Sequence, residues 1–162
     1  MSEAFPGLPE PSPPPEPSVA AAVILWREGP RGREIFWVKR GALRFAGGFY
    51  AFPGGRLDEG DWRVPVPGSA GERAALAACA AREIFEETGV LLAVGPHLSR
   101  DARAAARRAL LDGSLEFDRF LADHQLAVDA ARLLPAGRWI TPAQFPIRYD
   151  AHVFLARFPD DE

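Results

Sequence analysis

Apolar residues in this chain fall in short runs toward the two ends and in helical spacing through the middle. V-A-A-A-V-I-L-W (19–26) and I-F-W-V-K (35–39) are runs of strand length. The segment between them, R-E-G-P-R-G-R-E (27–34), is turn chemistry, so the pair predicts a hairpin. Residues 41–48 hold three glycines and predict a loop, and F-Y-A-F (49–52) predicts a short strand running into Pro53-Gly54-Gly55. W-R-V-P-V-P-G-S-A (62–70) is a loop broken by proline and glycine. Residues 71–88, rich in Ala, Glu and Arg, predict a helix that Gly89 closes as its C-cap. A strand is expected at 90–94, helices at 100–111 and 115–124, and late strands at 138–141 and 151–158. Ser114 stands where the second of those helices needs an N-cap. Strands and helices mix without strict alternation, which points to an α/β fold with a mixed sheet rather than a doubly wound parallel one.

Length and composition narrow the organisation. Seven of the first 18 residues are proline, so 1–18 is expected to be a disordered, polyproline-like tail and 19–162 a single domain. Hydrophobic residues make up 48% and charged residues 25%, an ordinary globular balance. The net charge of -3 offers no basic footprint for a nucleic acid polymer, so a small anionic substrate needs local arginines or metal ions. No stretch is apolar enough to span a membrane, and no basic region followed by an apolar run marks a secretory leader, so a cytoplasmic location is expected. The one cysteine, Cys79, lies in A-L-A-A-C-A-A and reads as a small buried residue.

The densest chemistry is R-E-I-F-E-E-T-G-V at 82–90. On a helix Glu83, Glu86 and Glu87 stand at i, i+3 and i+4 and share one face. Three crowded carboxylates repel one another, and a hard divalent cation, Mg²⁺ or Mn²⁺, relieves that repulsion. Arg82 is four residues before Glu86 and can orient a carboxylate. The plainer alternative is a solvated acidic face. Upstream, F-P-G-G-R-L-D-E-G-D (52–61) carries a Gly-Gly pair that lets backbone carbonyls approach a ligand or metal, or that simply makes a tight turn.

Residues 82–90 resemble the second half of the Nudix box, G-x5-E-x7-R-E-U-x-E-E-x-G-U, with U aliphatic. Gly55, five residues and Asp61 resemble its first half, with Asp in place of Glu. The departure is spacing: 20 residues (62–81) separate Asp61 from Arg82 where the family has seven. A loop bulged outward could absorb the difference, because closure cost rises slowly with length. L-R-F-A-G-G-F-Y-A-F-P-G-G-R-L-D (43–58) resembles the extra motif of the coenzyme A diphosphatase branch. The interrupted box, the helical pair after it, W-I-T-P (139–142) and R-Y-D (148–150) resemble the peroxisomal coenzyme A diphosphatase subgroup and its bacterial relatives.

The resemblance implies a Nudix fold, a mixed β-sheet sandwiched between helices, here with an extra helical pair. It implies metal-dependent hydrolysis of a diphosphate linkage in a small-molecule nucleoside diphosphate derivative, coenzyme A or acyl-CoA among them. ADP-ribose, NADH and dinucleoside polyphosphates are the alternative substrates, and a non-catalytic nucleotide sensor is the alternative of another class. Carried over by position, Glu83, Glu86, Glu87 and the Gly55 carbonyl hold the metal. Glu83 is a ligand or the general base, and Arg82 orients the carboxylates. Arg40 and Arg44 are candidates for substrate phosphates, since guanidinium groups bind them with paired donors. The helical pair at 99–124 has three open roles: a lid over the substrate, a packed insert, or a homodimer contact.

Overall fold

The computed structural model describes residues 13–39 and 48–159. β1 (Ser18–Gly29) is its axis, because a long apolar run can pair along both edges at once. On one edge it runs parallel to β9 (Tyr149–Arg157), from Ser18 opposite Tyr149 to Trp26 opposite Arg157. The other edge is shared by two antiparallel partners. Residues 20–22 pair with β5 (Gly54–Arg56), and residues 26–29 pair with β2 (Gly32–Ile35). β8 (Leu134–Ile140) lies antiparallel to β9 and completes a mixed five-stranded sheet. Two small antiparallel pairs stand apart: β3 (Val38–Lys39) with β4 (Tyr50–Ala51), and β6 (Ala93–Val94) with β7 (Ala127–Val128).

The expected hairpin is present, but its turn is shorter than 27–34. Arg27 pairs with Glu34 and Glu28 with Arg33, leaving Pro30 and Arg31 to turn the chain. Cross-strand ion pairs at 2.8 and 3.2 Å hold these residues in the ladder, so charges that look like loop chemistry are strand chemistry at an exposed edge. The strand at 35–39 is correspondingly interrupted at Phe36 and Trp37. β8 begins four residues before the expected 138, at Leu134-Pro135. Pro135 is tolerated there because the strand is an edge, with a bulge between Pro135 and Gly137.

α1 (Gly71–Thr88) has the expected bounds. Gly89 ends it in the left-handed conformation, φ 85°, and donates its N–H to the Phe85 carbonyl at 2.9 Å. Its alanines let it lie close to the sheet, and 75–82 is buried throughout. The core forms between α1 and the sheet face carrying Ala21, Val23, Leu25, Phe154 and Ala156. α2 (Arg100–Leu111) and α3 (Phe117–Asp123) form the extra helical pair. Phe120 of α3 stacks on Phe85 of α1 with ring centres 5.3 Å apart.

Two expectations are corrected here. Ser114 does not cap α3, which begins at Phe117 behind Glu116. Its N–H and hydroxyl instead bond the Ala109 carbonyl at 2.9 and 3.3 Å, closing α2. The segment after Asp61 is not an outward bulge either. Val64 and Val66 are buried in the core, and the Pro65 carbonyl accepts from the Val128 N–H at 2.9 Å. Alternation of valine and proline gives this loop an apolar side that the core absorbs.

Candidate active site

β5 packs through two glycines that leave no room for a side chain, Gly54 against β1 and Gly55 against α1. A Cβ on Gly54 would overlap the Ala21 carbonyl oxygen, and a Cβ on Gly55 would overlap the Glu83 carboxylate. This close approach seats the last two turns of α1 against the turn that follows β5. Arg82 lies at the centre. Its Nε donates to Asp61 Oδ1 at 2.9 Å and its Nη2 to Asp61 Oδ2 at 3.0 Å, a two-point pair. Nη2 also donates to the Arg56 carbonyl at 2.9 Å, and Nη1 to Glu83 Oε1 at 2.8 Å. Glu86 and Asp58 stand 3.6 Å from the same guanidinium. Asp61 sits in a 3-10 turn over Glu59–Arg63, where its Oδ2 accepts from the Asp58 N–H at 2.9 Å.

The electrostatics follow from burial. Asp61 is 1% exposed and Arg82 8%. Burial pulls the Arg82 guanidinium down, but the hydrogen bond and charge of Asp61, with Glu83 behind it, outweigh that and hold it raised and cationic. Burial pushes the Glu83 and Glu86 carboxyls above the ordinary carboxylate value, Arg82 offsets part of the rise, and the neighbouring carboxylates add to it. One cation thus faces Asp61, Glu83, Glu86 and Asp58. Among the described residues no three acidic, histidine or cysteine side chains converge as a ready-made cation cage, since Glu83 and Glu86 turn toward Arg82. Cys79 is buried as expected, its Sγ 3.4 Å from the Arg56 carbonyl and 3.7 Å from that of Gly55.

The glutamates open into a cleft of about 710 Å³. Glu83, Glu86, Glu87 and Asp58 form its acidic wall. Val38, Phe52, Trp139 and Tyr149 give it apolar and aromatic surface, and Lys39, the chain's one lysine, adds a positive charge. Trp139 comes from the end of β8, Thr141 follows it directly, and Tyr149 opens β9. The Tyr149 N–H donates to Thr141 Oγ1 at 3.0 Å, and Arg138 Nε donates to Asp150 at 2.6 Å. W-I-T-P and R-Y-D, separated by the five residues 143–147, therefore meet on one edge of the cleft where β8 turns back into β9.

A model of the NUDIX domain matches residues 16–158. The chain belongs to the Nudix family. It is similar to a NUDIX hydrolase from Alicyclobacillus acidocaldarius at 30% identity, over 88% of this chain and 70% of that one, with a TM-score of 0.66. It is also similar to a Nudix hydrolase from M. smegmatis at 15% identity, over 88% and 62% of the two chains, with a TM-score of 0.40. The Ap4A hydrolase of C. elegans matches at 12% identity, over 91% and 73%, with a TM-score of 0.45. Among curated proteins none matches. The chain is a Nudix hydrolase that acts on diphosphate anhydride bonds of small molecules, and the α/β fold with its mixed sheet is the family's. No described helix is long and apolar enough to cross a membrane.

Of the residues singled out from the Nudix box, Arg82, Glu83, Glu86, Glu87 and Gly55 all line the cleft. Arg40 and Arg44 lie outside the described residues. Phe49 and Tyr50 are 69% and 64% exposed. Residues 99–124 contribute no lining to the cleft, so the lid expectation has no support in its geometry. Lys39 and Trp139 are cleft residues that sequence reasoning passed over. Trp139 stands in the quoted W-I-T-P string, yet only its 66% exposure distinguishes it from a packing tryptophan.

Proposed function

We propose that this Nudix hydrolase cleaves the diphosphate linkage of a nucleoside diphosphate derivative, with coenzyme A or acyl-CoA as its substrate class, in a reaction that requires Mg²⁺ or Mn²⁺. The observation that carries the metal requirement is that Glu83, Glu86 and Glu87 on one end of α1 all line the cleft, while the guanidinium that faces Glu83 and Glu86 is already committed to Asp61. The donor chemistry fits a hard cation. These are oxygen ligands, Glu83 and Glu86 are penalised when ionised, and the absent Cβ of Gly55 leaves its backbone in contact with the Glu83 carboxylate. Glu83, Glu86, Glu87 and the Gly55 carbonyl would hold the ion. When bound, it neutralises charge on the diphosphate and lowers the proton affinity of an attacking water.

The remaining roles belong to the chain. Arg82, locked by Asp61 and the Arg56 carbonyl, holds the Glu83 carboxylate in one orientation. Glu83, with its raised proton affinity, is either an ion ligand or the base that takes a proton from water at Oε2, the oxygen not bonded to Arg82. Lys39 supplies positive charge to the substrate's phosphates, and Trp139 and Tyr149 supply flat surface for its base. No protein nucleophile is needed, because phosphoryl-type transfer depends on charge neutralisation and an oriented water. The coenzyme A assignment is supported by the 43–58 string and by the meeting of W-I-T-P with R-Y-D at the cleft. The sensor alternative has no use for three carboxylates that repel.

Incubation with coenzyme A, ADP-ribose, NADH and dinucleoside polyphosphates in Mg²⁺ or Mn²⁺, with products separated by chromatography, tests this reading. Preferred cleavage of coenzyme A to 3′,5′-ADP and phosphopantetheine is expected. Preference for ADP-ribose or a dinucleoside polyphosphate would refute the substrate assignment.

A further inference from the structure

α1 ends where its charge is most crowded. The last four carbonyls of a helix have no partner within it, and that end carries partial negative charge. Glu83, Glu86 and Glu87 add formal negative charge there, and the last turn of α1 holds no basic residue. The compensation comes from another helix. Arg107 of α2 donates Nε to the Glu86 carbonyl at 2.8 Å and Nη2 to the Glu87 carbonyl at 3.2 Å. One guanidinium fork therefore spans the backbone of the two adjacent residues whose carboxylates face the cleft. It bonds their carbonyls, and it lines no part of the cleft itself. Its side chain passes close to the helix C-cap, and a Cβ on Gly89 would stand at ordinary contact distance, 3.6 Å, from Arg107 Cδ. On the core side of the same turn Phe85 stacks on Phe120, nearly parallel at 5°. The helical pair thus grips the last turn of α1 from α2 through hydrogen bonds and from α3 through packing.

We propose that Arg107 is a positioning residue for the cation site, holding the backbone from which Glu86 and Glu87 project. This inference rests on the metal-dependent reading above, and it gives 99–124 the role of a buttress rather than a lid. A guanidinium suits the task because its planar donors bond two carbonyls at once, which a lysine ammonium on a single flexible stem does less well.

The test is titration of the EDTA-stripped full chain with Mn²⁺ alone, following the free-ion EPR signal, for wild type, Arg107→Ala and Arg107→Lys. Partners that orient metal ligands are worth roughly 10–100-fold in metal affinity. Arg107→Ala is expected to weaken Mn²⁺ binding about tenfold, and Arg107→Lys to recover part of it. The sign is decisive. If Arg107 acts only through its charge, removing that charge beside three carboxylates tightens cation binding. Tighter or unchanged Mn²⁺ binding in folded Arg107→Ala overturns the proposal. Should Arg107→Ala fail to fold, Arg107→Lys decides: weaker binding supports the proposal, and wild-type binding overturns it. Amide exchange across 86–90 should also quicken in the variant while 100–106 stays protected. Turnover is read separately. A wild type that binds Mn²⁺ but cleaves no diphosphate sinks the hydrolase reading alone. One that binds no Mn²⁺ overturns this proposal with it.

Discussion

Asp61 and Arg82, 21 positions apart, form a buried two-point ion pair at 2.9 and 3.0 Å. The pair joins the two halves of the Nudix box across its enlarged spacing. It survives because the intervening residues pack inward through Val64 and Val66 and then continue into α1, instead of pushing turn and helix apart. Breaking a buried pair by removing one partner costs about 3–5 kcal/mol, since a charge is left without compensation. Asp61→Ala is therefore expected to lower stability in urea by that order. A loss below about 1 kcal/mol, the scale of an exposed pair, would show that Arg82 finds other partners at no cost.

Gly54 and Gly55 predict different failures. A Cβ at Gly54 meets backbone that cannot move, the Ala21 carbonyl and Ala22 Cα, so Gly54→Ala should destabilise by about 1–3 kcal/mol. A Cβ at Gly55 meets the end of a side chain that can swing aside. Gly55→Ala should fold with little loss of Tm yet drop kcat by roughly tenfold or more, because Glu83 is displaced. Equal effects on Tm in the two variants would contradict this division.

Glu83 and Glu86 carry a pH signature. Their folded carboxyls are raised, so the protonated forms are favoured in the fold. The stability this contributes is fully present below about pH 4.5, the ordinary value, and is lost as pH rises through the raised value. In EDTA, Glu86→Gln should melt above wild type at pH 8, and the difference should vanish near pH 4. A variant that melts below wild type at pH 8 would mean that the Arg82 contact outweighs desolvation.

Cys79 should be chemically silent. Burial, with Asp61 behind it, pushes its thiol well above the usual range, and it is 0% exposed. Iodoacetamide at pH 8 should leave the native protein unmodified and label it fully in urea. Native-state labelling at the unfolded rate would disprove the tight seat of α1 on β5.

Much of this was legible in the sequence where local chemistry and tertiary outcome agree. α1 and its end are one case, because alanine-rich helical spacing and Gly89 both say the same thing. The glutamate triad is another, since its face is set by helical geometry alone. The 27–34 segment misled because its charges pair across a hairpin, a relationship invisible along a single strand. Ser114 misled because it closes the preceding helix instead of opening the next. The weight of Asp61 could not be judged from spacing, because its partner lies beyond an insertion whose packing is tertiary. Trp139 looks like any core tryptophan until the sheet edge leaves it exposed. Arg107 carries no motif, and only the packing of α2 on α1 brings it to the carbonyls.

The most direct test of the central claim is turnover of a nucleoside diphosphate derivative with and without Mg²⁺, for wild type, Glu86→Gln and Glu87→Gln. Turnover should depend on the ion, vanish in EDTA, and fall by roughly two orders of magnitude or more in each variant while the fold holds. Full activity in EDTA, or variants that match wild type, would contradict a cation held by the α1 glutamates.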